Sequence, residues 1–426
     1  MSTTRPFGFW TATALVVGGM IGAGIFVLPA QLAPYGATGA AGWALAVAGA
    51  VLIAWVMSQL FAARPEATGA MDVVGEGLGP LAAVLVGWSY WVSTWCANAV
   101  LALTAVRYLS EFWPWIGSST IATALGALAL LWALTLFNLL GARDVGRLQV
   151  LTTLLKLLPL VAVVAILTGL AFTDPGRFAG DAHPGFEAVR LTPALGLAFF
   201  ALLGFECAGV AAERVRDPAR TIPRATMAGV AVTGLIYVIV STGIVYALPQ
   251  AALQDSGAPV ALFVQQYWGN AAGLVTAAFA MISALGCLNG YLLIVGEVPL
   301  GMARTGLLPR WIGRTSARDV PVGVLLLASA LASVLILSNA TRTLSGLMTF
   351  MLNLTAAATV WLYIGACAAA WALKVARPLA AAGFAFAIWV LIGSGLEAAA
   401  WSVALMLSAL PFYWFALRGA ASEQAA

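Results

Sequence analysis

The chain has 426 residues, 62% of them hydrophobic and only 8% charged, with a formal net charge of +4. A charged fraction about a third of the usual globular value of roughly 25% cannot cover a water-facing surface, and such high hydrophobicity excludes intrinsic disorder. Four cysteines over this length exclude a disulfide-stapled secreted module, which leaves an all-α integral membrane protein, since the apolar runs far exceed the roughly ten-residue alternating segments of a β-barrel.

A helix needs about 20 apolar residues to cross the hydrocarbon core, and the sequence offers about twelve such spans. The first five run from Gly8 to Ala33, Gly39 to Ala63, Leu81 to Phe112, Thr120 to Leu140 and Leu148 to Phe172. The next five run from Leu191 to Ala212, Thr226 to Leu248, Ala271 to Gly301, Pro321 to Ser338 and Leu344 to Leu373. Two more, Leu379 to Leu396 and Ala398 to Leu417, are closely spaced through Glu397. The first run is too long for the core of a cleavable signal. Residues 1–172 thus form one five-helix repeat, 191–373 a second, 379–417 the last two helices and 418–426 a tail. With the chain starting inside, 15 of the 20 Lys and Arg fall in inner segments, among them Arg5, Arg143, Arg147, Arg214, Arg216 and Arg318. Both termini are then cytoplasmic. That asymmetry accounts for the positive charge, so no role in nucleic-acid binding is assigned.

Two spans are interrupted in corresponding places. The first carries Gly18-Gly19 and Gly22-Ala23-Gly24-Ile25, and the sixth carries Gly204-Phe205-Glu206. Matching interruptions in two halves are the sequence pointer to a transporter site made by discontinuous helices. Because five is odd, the second repeat is inverted relative to the first. At such a break the freed backbone N–H groups suit a carboxylate and freed carbonyls at the matching break suit an ammonium, so an amino acid carries both groups needed. Glycines keep the backbone open to it.

Two ionisable residues lie at membrane depth, where charge is costly and usually functional. Glu206 at the second break can take up and release a proton. Lys156 lies about eight residues into the fifth span, roughly 12 Å deep at 1.5 Å per residue, and is a second candidate for proton coupling. His183, Asp72 and Glu297 read as solvated or paired with inner arginines, and Cys96, Cys207, Cys287 and Cys367 as small hydrophobes. Nothing in the pattern asks for a metal or cofactor.

At these residues the chain resembles the amino acid-polyamine-organocation (APC) transporter family. Gly22-Ala23-Gly24-Ile25-Phe26 is similar to the family's helix 1 break and Gly204-Phe205-Glu206 to its helix 6 break. Asp217-Pro218-Ala219-Arg220-Thr221-Ile222-Pro223-Arg224-Ala225 and Ala303-Arg304-Thr305-Gly306-Leu307-Leu308-Pro309 resemble its loop signatures. Trp95-Cys96-Ala97-Asn98, Ile392-Gly393-Ser394-Gly395 and Trp401-Ser402 resemble the basic amino acid/polyamine antiporter branch, arginine/agmatine antiporters included.

The resemblance implies the 5+5 inverted repeat of the LeuT/APC fold and alternating-access exchange across a bacterial-type inner membrane. It places substrate on Gly22, Ala23, Gly24, Ile25, Asn98, Phe200, Gly204 and Tyr291, with gating at Glu206. Phe200 would stack on the substrate, as a cation over an aromatic face gains about 0.5 to 2 kcal/mol. Lys156 resembles the helix 5 lysine of proton-coupled members, so proton symport of neutral or broad specificity stays open beside exchange. Oligomeric state, a homodimer included, is also open. An enzyme would need a catalytic cluster that the chain lacks, and a channel a filter loop.

Overall fold

Inside a bilayer every backbone polar group must be satisfied within the protein, and the helix does this locally. The computed structural model, which describes residues 8–64, 69–139, 155–179, 183–206, 217–316, 319–338 and 340–424, is helical with no strand among those residues. Six helices among them are long and apolar enough to cross a membrane, and five shorter apolar helices of 10–17 residues accompany them. The expectations placed on Arg5, Arg143, Arg147, Arg214, Arg216, Arg318, Cys207 and the start of the fifth span lie outside the described residues.

The first span is two helices, α1 (Phe9–Met20) and α2 (Ala23–Leu32), and every residue of α2 is buried. A 3-10 turn leads to α3 (Gly36–Ala63). The short helix α4 (Ala70–Leu78) has no counterpart among the predicted spans, because it is amphipathic and too short to cross. α5 (Pro80–Leu109) opens on a proline, which suits a first turn whose N–H groups have no partner anyway. Every residue from Val86 to Tyr108 is buried, so α5 is the core helix.

Next come α6 (Thr120–Asn138), α7 (Leu157–Thr173), α8 (Leu191–Ala201) and α9 (Pro218–Ala247). Two short helices, α10 (Gln250–Gln254) and α11 (Pro259–Trp268), precede the long α12 (Asn270–Arg304). They are followed by α13 (Val322–Ser338), α14 (Leu344–Ala372) and α15 (Arg377–Gly393). The predicted last span, Ala398 to Leu417, lies within one candidate span, Leu396–Arg418, which a two-residue break divides into α16 (Leu396–Leu407) and α17 (Leu410–Gln424). Pro411 explains the break: it offers no N–H to the Leu407 carbonyl and its ring crowds that oxygen.

Two sets of helices position the site. α5 packs along α12 and α14, while α1, α2, α3, α8 and α9 pack on one another. The interrupted helices α2 and α8 are in direct contact, so the two breaks predicted from sequence are brought together.

Candidate substrate site at two helix breaks

α1 ends where the Ile21 amide donates to Val17 at 3.0 Å, and Gly22, at φ −126° and ψ −141°, leaves the helical region. Gly22 offers α2 no side-chain cap, so the first amides of α2 have no intrahelical partner and carry the positive end of its dipole. At the other break, the Leu202 and Leu203 amides turn back onto the Phe199 and Phe200 carbonyls at 3.0 and 3.2 Å. Gly204 then takes φ +104°, a conformation that favours glycine. The approach is close: a β-carbon on Gly204 would lie 2.8 Å from the Gly19 carbonyl oxygen.

Between the breaks lies a small cavity that gives the centres of water molecules about 40 Å³, the room of a few waters at roughly 10–15 Å³ each. Six of the predicted residues line it: Gly22, Ala23, Gly24, Phe200, Glu206 and Tyr291. Ile25 and Gly204 support the two breaks without lining the cavity. Asn98 is fully buried on α5 outside the lining, and neither its Nδ2 nor its Oδ1 has a hydrogen-bond partner among the described residues. The face that α5 turns to the cavity is Tyr90, Ser93, Ala97 and Leu101, spaced three and four apart. Thr355 and Thr359 of α14 complete it opposite. Nothing in the sequence marked these hydroxyl residues, because a Ser, Thr or Tyr in a span is more often packing than site.

Glu206 accepts hydrogen bonds from the Tyr363 hydroxyl at 2.8 Å, the Gly204 amide at 3.0 Å and the Tyr90 hydroxyl at 3.2 Å. An ionised carboxylate accepts and does not donate, so this set of donors suits the charged form. The group ties α5, the second break and α14 together. Each charge-assisted bond is worth about 1.5–3 kcal/mol, so Tyr363→Phe is expected to slow transport by roughly tenfold. In a Glu206→Gln background the same change should add little, which a double-mutant cycle on transport rates measures.

The carbonyls freed at the first break are largely taken. Lys156, buried just before α7, donates from Nζ to the Gly18 carbonyl. Tyr237 of α9 donates to Met20 at 2.8 Å, and Cys287 of α12 to Ile21 at 3.2 Å. Three scaffold helices thus hold the end of α1. The sequence places a substrate ammonium at the carbonyls of the other break, and the Phe200, Ala201 and Leu203 stretch there lines the cavity. Lys156 does not line the cavity and makes no ion pair among the described residues.

His183 is not simply solvated. Its Nδ1 is buried and its ring packs edge-on against Tyr246, with centroids 5.3 Å apart. Arg64 pairs with Glu76 at 2.5 Å. No group of three His, Cys, Asp or Glu able to hold a metal occurs among the described residues.

The cavity lies between the start of α2 and the end of α8, with Tyr90, Phe200, Tyr291 and Glu206 on its walls, inside a helical protein with several helices long and apolar enough to cross a membrane. The chain belongs to the amino acid permease family, which it matches over residues 7–423. It is 30% identical over 334 residues to the cadaverine/lysine antiporter of Escherichia coli (strain K12), covering 77% of this chain and 74% of that protein. It is 26% identical to the putrescine transporter PotE of Haemophilus influenzae, covering 78% of this chain and 76% of that one. The protein is a multi-pass membrane protein and an antiporter-type amino acid transporter, not an enzyme.

Proposed function

We propose that the protein exchanges amino acids for amino acids or their amines, with preference for substrates bearing a side-chain ammonium. The observation that carries this is the cavity itself, lined by Gly22, Ala23 and Gly24 at the start of α2 together with Tyr90, Phe200, Tyr291 and Glu206. The substrate carboxylate sits at the start of α2, where the helix dipole favours an anion. Its cationic groups meet the α8 carbonyls and the aromatic faces, each such face contributing about 0.5–2 kcal/mol. Lysine, which one relative's name carries, fits both parts of this pattern, and cadaverine and putrescine, which have no carboxylate, fit its cationic part. Proton symport through Lys156 is not favoured by those relatives.

In this reading the chain forms twelve spans, ten of them in the 5+5 inverted repeat over 1–172 and 191–373. Both termini face the cytoplasm, the membrane is the inner one of a bacterial-type cell, and alternating access exposes the cavity to each side in turn. Swapping a monocation for a dication moves net charge, worth about 2.3 kcal/mol per charge per 100 mV. Reconstituted protein tests this. Vesicles loaded with lysine should take up radiolabelled lysine about tenfold or more faster than empty ones, since an obligate exchanger needs a substrate on both sides. Cadaverine and putrescine should compete, and leucine should not. If neutral amino acids compete and the amines do not, the reading fails.

A further inference from the structure

A second, smaller cavity lies where the Leu32 end of α2 meets α3 and α9, walled by Leu32, Gly36, Trp43, Ser241, Thr242 and Tyr246. Three of these lining residues each hold a buried polar atom with no hydrogen-bond partner among the described residues: Trp43 Nε1, Ser241 Oγ and Thr242 Oγ1. Trp43 is 1% exposed and Ser241 0%. Orphaned groups of this kind are rare, because each forfeits its hydration without return. Three on the wall of one cavity point to an occupant.

Chemistry selects it. An indole N–H only donates, so the occupant must accept, which excludes a metal ion or an ammonium group. No charged side chain lines the cavity, so an anion would be buried unpaired at high cost. Hydroxyls donate and accept, so a small neutral molecule that does both satisfies all three groups. The cavity gives the centre of a water molecule about 10 Å³, close to the roughly 10–15 Å³ that one water needs.

The site reaches the substrate break through α9. Thr233, Tyr237 and Ser241 lie four residues apart on one face of α9, all fully buried. The Tyr237 ring packs on that of Trp43, centroids 5.7 Å apart, and its hydroxyl holds the Met20 carbonyl. We propose that this cavity is a bound-water site that fixes Trp43 and, through it, the Tyr237 contact with the end of α1.

X-ray hydroxyl-radical footprinting in lipid nanodiscs tests it, because radicals form from bound water. Trp43 should oxidise at about the rate of Trp311, which is 57% exposed, and well above Trp91, which is 3% exposed and has its Nε1 bonded to Val295 at 3.0 Å. In Ser241→Ala/Thr242→Val, Trp43 oxidation should fall about fivefold with Trp311 unchanged, and lysine exchange should fall about threefold. Trp43→Phe, which keeps the ring packing, should lower Tyr246 oxidation in the same way. Oxidation of Trp43 no faster than Trp91, or unchanged in the double variant, overturns the site. Unchanged exchange in a double variant that has lost the oxidation overturns its link to Tyr237.

Discussion

Gly24→Ala is expected to abolish most transport while leaving the protein folded. The added β-carbon would stand 2.5 Å from Ala201 Cβ and 2.7 Å from its Cα, where carbon pairs prefer roughly 3.5–4.0 Å. α2 and α8 must then part by about 1 Å, and they are the two walls that present amides and carbonyls to the substrate. A misplacement of about 1 Å costs a preorganised site on the order of 100-fold, so exchange should fall by that order. Overpacking costs about 1–3 kcal/mol of stability, which a chain of this size tolerates. Gly169→Ala in α7 is the control: nothing lies within 4 Å of its β-carbon position, and exchange should be unchanged. Equal loss in both variants would show that the effect is a general one of glycine replacement rather than the contact between the breaks.

The part of the site carried by backbone was legible in the sequence. Gly22-Ala23-Gly24 and Gly204-Phe205-Glu206 interrupt otherwise continuous apolar runs, and a break in a span leaves a mark in composition. The two breaks meet as expected, and Phe200, Glu206 and Tyr291 line the cavity. The hydroxyl wall was not legible. Ser93, Thr355 and Thr359 look like any small polar residue on a packed helix, and which face of α5 turns inward depends on where α12 and α14 pack. The residue expected on that helix, Asn98, lies off the lining face, while Ala97 beside it lies on it. Tyr363 and Tyr237 were invisible for the same reason, since each acts through one hydroxyl whose target is set by a distant helix. The split of the last span followed from a single residue, Pro411, hidden in a hydropathy average.

Lys156→Met is expected to cut exchange about fivefold or more, and the comparison with Lys156→Arg says why. The ammonium lies buried against the Gly18 carbonyl near the C-terminal end of α1, where the helix dipole presents partial negative charge. Methionine keeps most of the volume and removes the donor. It leaves a buried carbonyl unsatisfied at about 1–3 kcal/mol, which is roughly a fivefold to hundredfold change in the population of the conformation that depends on it. Arginine keeps the charge but its planar guanidinium does not fit where a compact ammonium does, so it should not restore the rate. In the exchange reading Lys156 is a structural donor that holds α1, and no proton accompanies substrate. A pH-sensitive dye inside lysine-loaded vesicles should then report no acidification during uptake, and an imposed inward proton gradient should drive no uptake into empty ones. Acidification in step with uptake, lost in Lys156→Met, would instead make Lys156 a proton carrier and the protein a symporter.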